Sequence, residues 1–292
     1  MASAEAGFIL GYFLVVQTYR PEAGLSSKTP RHIGEKHCFS ARLFLSSVMQ
    51  QINNEPVGLA TMSEALHSAQ NYHAWHAEWI SPFVKGRILD IGSGNANHLR
   101  GLEEYELVSV DIDDACIQTL RRRFHDQPNW RFEHIDVSKS GSLKKTDLGL
   151  FDTVFSSNVI EHIQDDVSVL KEAVTVLKPG GRMVLVLPAL QFLFGKMDKL
   201  AGHHRRYDKT MLRLILRDLG LKEIELRYVN SVGALGWWVN GRMLNPKGLS
   251  TGAINSQIGL FDKWFVPFLR VLERGRSMPF GQSIVVVAQK PG

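Results

Sequence analysis

From residue 87 onward the chain alternates short apolar runs with helix-compatible segments, and this alternation restricts the fold more than any other feature. Residues 87–91 (RILDI), 106–110 (ELVSV), 130–135, 151–156 (FDTVFS) and 182–187 (RMVLVL) read as strands. Helix-compatible sequence spans 97–104, 114–125 and 164–177, with Asp114 as an N-cap and Lys178-Pro179-Gly180-Gly181 as a stop that no helix survives. Strands separated by helices of this length specify βαβ units and a parallel sheet. A helix over 209–219, a strand over 223–229, a long aromatic-rich stretch and a last strand over 283–288 complete the pattern. Upstream, Leu66, Ala69, Tyr72, Trp75, Ala77, Trp79 and Ile80 repeat at helical spacing up to Pro82.

A chain of 292 residues with 44% apolar and 22% charged residues has the composition of an ordinary globular protein, one large domain or two small ones. No apolar run approaches the roughly 20 residues of a membrane span. Cys38 and Cys116 make no disulfide framework, and no Cys/His spacing reads as a structural zinc site, so no metal and a reducing, cytoplasmic setting are the expectation. Residues 1–61 show no sustained period and read as a weakly ordered appendage, with Met62 as an alternative start. The apolar stretch 7–16 lacks the preceding Lys or Arg of a signal segment.

The net charge of +5 is unevenly spread: +1 over residues 1–61, −5 over 62–195 and +9 over 196–292. The acidic block is read as a ligand-binding core and the basic block as a substrate-side, sheet-completing part. A basic lobe attracts an anionic substrate, a lipid surface or nucleic acid, and the same charges also fit a solvated surface.

The densest chemistry lies between the first strand and its helix, at Asp90-Ile91-Gly92-Ser93-Gly94-Asn95-Ala96-Asn97. Glycines at a strand-to-helix turn let a ligand approach the backbone, and dinucleotides use such turns too. Here the third glycine of GxGxxG is replaced by Ala96, and Asp90 would repel a pyrophosphate but suits a ligand that carries an ammonium. Asp111 and Ile112 end the second strand about 20 residues further on, where an acid accepts both ribose hydroxyls. Asp136-Val137 ends the third strand, and Ser156 to His162, including Asn158 and Val159, follows the fourth. All of these tips face the crevice at the carboxyl ends of the strands.

Asp90-Ile91-Gly92-Ser93-Gly94, Val110-Asp111, Phe151-Asp152-Thr153-Val154 with Glu161-His162, and Leu177-Lys178-Pro179-Gly180-Gly181 together resemble the class I S-adenosylmethionine-dependent methyltransferases. The resemblance implies an α/β, Rossmann-like, seven-stranded and mostly parallel sheet flanked by helices. The last strand is antiparallel and inserted beside the preceding parallel one. It implies a cofactor set of Asp90, Gly92, Ser93, Gly94 and Asn95 at the amino-acid part, Asp111 and Ile112 at the ribose, Asp136 and Val137 at the adenine, and Asn158 and Val159 near the methionine. Tyr72, with His73 and Trp75, is expected to close the pocket from the leading helix.

Gly202-His203-His204-Arg205-Arg206-Tyr207, followed by Asp208 as an N-cap, resembles the GHxRRY signature of a bacterial subgroup of these enzymes. Asn230-Ser231-Val232-Gly233 with Trp237, Phe261-Asp262 with Pro267, and Pro279-Phe280-Gly281-Gln282-Ser283 continue the agreement. His203 is the expected general base. Arg205 and Arg206 are expected to grip a carboxylate or phosphate, or to pair with Asp198 or Asp208. Tyr207 completes the catalytic set. Residues 258–276 interleave apolar positions with Lys263, Arg270, Arg274 and Arg276, which fits a peripheral membrane contact, a lid, or a helix packed on the core or in a homodimer.

The leading expectation is therefore a methyltransferase acting on a small or lipophilic, anionic acceptor, with no nucleic-acid partner. The alternatives are a non-catalytic binding protein on the same fold and a dinucleotide-dependent oxidoreductase.

Overall fold

The computed structural model describes residues 69–145, 148–243, 259 and 261–292. The appendage over 1–61, its apolar stretch and the first residues of the leading helix lie outside the described residues.

Seven strands form one sheet: β1 (Ile88–Ile91), β2 (Leu107–Asp111), β3 (Trp130–His134), β4 (Phe151–Ser157), β5 (Leu177–Pro188), β6 (Lys222–Val229) and β7 (Ser283–Gln289), in the order β3-β2-β1-β4-β5-β7-β6. β3, β2, β1, β4 and β5 pair in parallel, and β7 runs antiparallel between β5 and β6, as expected. β1, β2 and most of β7 are buried on both faces, so their sequences are nearly continuous apolar runs and not alternating ones. Two apolar clusters, one containing Trp75, Phe155 and Val285 and the other Leu89, Val154 and Val286, pack against the sheet. The order reverses between β1 and β4, so the loops after these two strands meet at the switch point where open α/β sheets bind ligands.

The helices are α1 (Gln70–Ile80), α2 (Asp114–Arg123), α3 (Ser142–Lys145), α4 (Asp166–Thr175), α5 (Lys196–Ala201), α6 (Lys209–Asp218), α7 (Ser231–Met243) and α8 (Val266–Leu272). Asp208 caps α6 as expected, its carboxylate accepting from Met211 N at 2.9 Å. On α2 the cap is Asp113, one residue before the expected Asp114, and it accepts from Ala115 N and Cys116 N. The helix expected over 97–104 is only a 3-10 turn, Asn97–Leu99, and Gly101 at φ +84° follows it. The Lys178–Gly181 stop belongs to β5 itself, as a bulge between the Phe151 and Thr153 pairings.

Two long-range carboxylates fix helix starts. Asp262, in a π-helical turn Phe261–Phe265 ahead of α8, accepts from Asn71 N and Tyr72 N (3.2 and 2.8 Å) and so caps α1. Glu273 accepts from Asn230 N, Ser231 N and Ser231 Oγ at the start of α7. The Asn230–Gly233 and Pro279–Ser283 segments meet here: Asn230 Nδ2 donates to Gln282 Oε1 at 3.0 Å, and a Cβ at Gly233 would overlap both side chains.

Candidate active site

The turn after β1 is built on left-handed backbone. Gly92, Gly94 and Ala96 have φ of +91°, +47° and +58°. A Cβ at Gly92 would overlap the Val159 Cγ2 methyl from the loop after β4, so only glycine fits between the two loops. Ala96 holds the conformation that a third glycine would favour, so its methyl costs local strain without changing the course of the turn.

Asp90 lies fully buried beneath this turn. It accepts from His98 Nε2 at 3.0 Å and from Ser109 Oγ at 2.5 Å, and Ser109 Oγ is in turn bonded to Ser93 Oγ at 2.7 Å. Asp90 and Ser93 therefore hold the turn in place from within. Asn95, also buried, accepts from Asn97 N through Oδ1.

Asp111 is buried at the tip of β2, accepting from Gly94 N (3.0 Å) and Asp113 N (2.9 Å). Burial pushes its carboxyl up to about 6, against the pull of those two N–H groups. Ile112 beside it is half-buried. Asp136 accepts from Ser138 N and Ser138 Oγ and pairs with Lys139, closing its own loop next to half-buried Val137. Asn158, at φ +51°, and Val159 lie half-buried after β4.

Tyr72 is buried on α1, in T-shaped contact with Trp79. One turn on, His76 is bonded to Ser157 Oγ at 3.0 Å, and His73 is bonded to Asn97 Nδ2 at 3.4 Å. Burial, helped by His98 and His73, lowers the His76 imidazole to about 3. The sequence pointed to Tyr72, His73 and Trp75 on this helix but missed His76, whose partner Ser157 lies 81 residues away.

The His203–Tyr207 segment is organised around Asp198, which the sequence offered only as an ion-pair partner. Asp198 accepts from Gly195 N (2.9 Å), His203 Nδ1 (2.9 Å), Arg206 Nε (2.7 Å) and Trp237 Nε1 (3.3 Å). Burial raises this carboxyl, and His203 and Arg206 outweigh it and hold it below the usual range.

Arg206 is 1% exposed, donates also to Ala189 O, and lies over the Trp237 ring. It is thus the Asp198 partner and not an acceptor grip. Arg205 pairs with Asp166 and donates to Gln164 O at 2.6 Å, so it too is engaged, with a partner the sequence did not suggest. Tyr207 is fully buried and donates its hydroxyl to Asp166 at 2.7 Å, which makes it a core residue and not a reacting group. Burial holds His203 below the ordinary imidazole range despite Asp198, so it stays neutral with Nδ1 donating.

The sequence also passed over Glu161 as a site residue. It is fully buried, its Oε1 lies 3.9 Å from His203 Nε2, and burial pushes its carboxyl up to about 8.

Residues 89–185 match the family model described as a methyltransferase domain. The tRNA U34 carboxymethyltransferase of Pseudoalteromonas translucida is 30% identical over 185 residues, covering 56% of this chain and 55% of that protein. The ubiquinone biosynthesis O-methyltransferase of Albidiferax ferrireducens is 25% identical over 147 residues, 44% of this chain and 57% of that one. The chain spans about half the length of the curated relatives it matches. Among solved structures, a chain of the Haloferax volcanii complex that contains the Trm112 methyltransferase activator superposes with a TM-score of 0.51 at 16% identity, over 77% of this chain and 92% of that one. Haemonchus contortus phosphoethanolamine N-methyltransferase 2 does so with 0.50 at 15%, over 78% and 57%. Identities this low establish the fold alone.

The glycine turn, with no room for a Cβ at Gly92, and the buried acid Asp111 at the tip of β2 fit an S-adenosyl nucleoside. Sequence match, strand order and turn agree: residues 89–185 are a class I S-adenosylmethionine-dependent methyltransferase domain.

Proposed function

We propose that the chain transfers a methyl group from S-adenosylmethionine to a small, lipophilic acceptor. The observation that supports this most is the junction of Gly92, Val159 and Asp111 at the sheet's switch point. When bound, the cofactor supplies a methyl carbon already activated by its sulfonium. The Gly92–Asn95 turn, Asp111 and Asn158 would hold it. What is left to the chain is alignment and exclusion of water.

A lipophilic acceptor is favoured by the apolar stripe on α8 and the turn before it. Trp264, Phe265, Phe268, Val271 and Leu272 are all exposed there, among Lys263, Arg274 and Arg276. Among the described residues no helix is long and apolar enough to cross a membrane, so the stripe would meet a lipid surface from outside. The expected anionic group on the acceptor loses its support, because carboxylates hold both Arg205 and Arg206.

A second reading is a tRNA acceptor. The names of several relatives and the +9 charge of residues 196–292 favour it. Isothermal titration with S-adenosylhomocysteine tests the cofactor. Absence of binding by the wild type, or Asp111→Ala binding equally well, would sink the methyltransferase reading. Methyl incorporation into a lipid extract against bulk tRNA decides between the acceptors.

A further inference from the structure

We propose that Glu161, His162 and His203 hold a divalent transition-metal cation at the tip of β4. Each residue offers one ligand atom, and these atoms lie within 4.8 Å of one another. Ligands about 2.0–2.2 Å from a common cation stand roughly 3.0–3.5 Å apart, so closure needs side-chain movements of about an ångström.

Three features of the structure aim these atoms at one point. Glu161 is fully buried, and neither carboxylate oxygen reaches a well-formed hydrogen-bond partner among the described residues. A carboxylate in that position is costly unless something compensates it. His203 donates Nδ1–H to Asp198 at 2.9 Å, which fixes the tautomer and leaves the Nε2 lone pair on the side of Glu161, 3.9 Å away. A carboxylate behind the far nitrogen is the usual support of a metal-bound imidazole. The His162 ring stands edge-on to His203 with centroids 4.8 Å apart, which brings the second imidazole to the same point.

The local charge is compatible. Asp198 balances the one guanidinium of Arg206, and Glu161 adds a carboxyl that gives up its proton when a cation binds, so a dication is not entering a cationic site. One carboxylate oxygen and two imidazole nitrogens suit zinc, manganese, iron or cobalt better than the all-oxygen preference of calcium or magnesium. Three protein ligands leave coordination positions open for water or an acceptor oxygen. The acceptor part of this inference rests on the methyltransferase reading; metal binding does not.

The test uses the full chain, stripped with EDTA and titrated with Co2+ alone. The expected result is a ligand-field absorption saturating at one equivalent and displaced by Zn2+. Glu161→Gln and His203→Gln should each weaken Co2+ binding at least tenfold. His204→Ala, at an exposed neighbour, should leave it unchanged. X-ray absorption at the zinc edge of the wild type should show nitrogen and oxygen donors that include two imidazoles, a readout that does not depend on variants folding. No ligand-field absorption with Co2+ in excess over the protein, unchanged binding in both variants, or a first shell without two imidazoles overturns the site. S-adenosylhomocysteine binding is measured in parallel. If it survives while Co2+ binding fails, the metal site alone falls. If it fails while Co2+ binds, only the methyltransferase reading falls.

Discussion

The Arg206 guanidinium donates to the Asp198 carboxylate at 2.7 Å with both side chains out of solvent, 1% and 0% exposed. Breaking such a pair from one side leaves a buried charge alone, a loss of about 3–5 kcal/mol. Arg206→Met keeps the volume and removes the charge, so urea denaturation should show a loss in that range while any folded fraction retains S-adenosylhomocysteine binding. A loss under about 1 kcal/mol would mean that Arg206 is available to a ligand after all.

Gly92→Ala should destabilise the chain by more than about 1 kcal/mol and weaken S-adenosylhomocysteine at least tenfold, because φ is +91° and the new methyl overlaps Val159. The two costs separate in a double-mutant cycle. Val159→Ala removes the overlap but not the backbone strain, so the pair should recover only part of the loss, with a coupling of at least about 0.5 kcal/mol. Strict additivity would mean that the two loops do not touch.

The strands were legible because burial on both faces of a parallel sheet writes them as apolar runs, and the glycine turn because its spacing is local. What escaped was set by distant chain. Nothing near Gln70 announces that Asp262 caps it, and nothing near Ser231 announces Glu273. In sequence the arginines of 205–206 fit an anion grip and a pairing with Asp198 or Asp208 equally well. Asp198, eight residues before Arg206, was within reach of a local reading, but Asp166, about 40 residues earlier, engages Arg205 only once β4 and β5 lie side by side. The helix expected over 97–104 failed for a local reason: Gly101 takes a left-handed conformation that ends the turn.

Asp111 makes cofactor binding and stability respond oppositely to pH. Its folded value of about 6 lies above the ordinary 3.8, so the folded chain holds the extra proton. That contribution is fully present below 3.8 and is lost as pH rises through about 6. Relative to Asp111→Asn, the wild type should gain up to about 1.4 kcal/mol per pH unit on going from pH 6 to pH 5. Its S-adenosylhomocysteine affinity should weaken over the same interval, since ribose hydroxyls need the ionised acceptor. Parallel stability profiles for the two proteins would show that Asp111 is not the group responsible.

His76 acts with the opposite sign. Burial lowers it from 6.5 to about 3, so the unfolded chain takes a proton that the folded chain refuses. The stability this group contributes is present above 6.5 and lost as pH falls towards 3. His76→Gln keeps an amide beside Ser157 Oγ and cannot titrate. It should flatten the acid limb of a thermal-stability profile below pH 6.5, and an unchanged limb would place the sensitivity elsewhere.

The exposed stripe makes a prediction at the opposite end of the burial scale. Trp264, Phe268 and Val271 are 65%, 64% and 76% exposed, so polar substitutions there should cost little stability. Phe261, Val266 and Leu269 on the same segment are buried and hold it to the core, so the exposed positions are not needed for its attachment. Arg270 is paired with Glu78, which leaves Lys263, Arg274 and Arg276 as the exposed cations beside the stripe. Aromatic side chains ringed by cations partition onto anionic bilayers by apolar burial plus a salt-screened attraction. Sedimentation with vesicles containing phosphatidylserine should therefore carry the wild type down at low salt and less at high salt. Trp264→Ser with Phe268→Ser should lower partitioning at least tenfold at unchanged melting temperature. Equal sedimentation of the two proteins would detach the stripe from membranes and return it to ordinary surface.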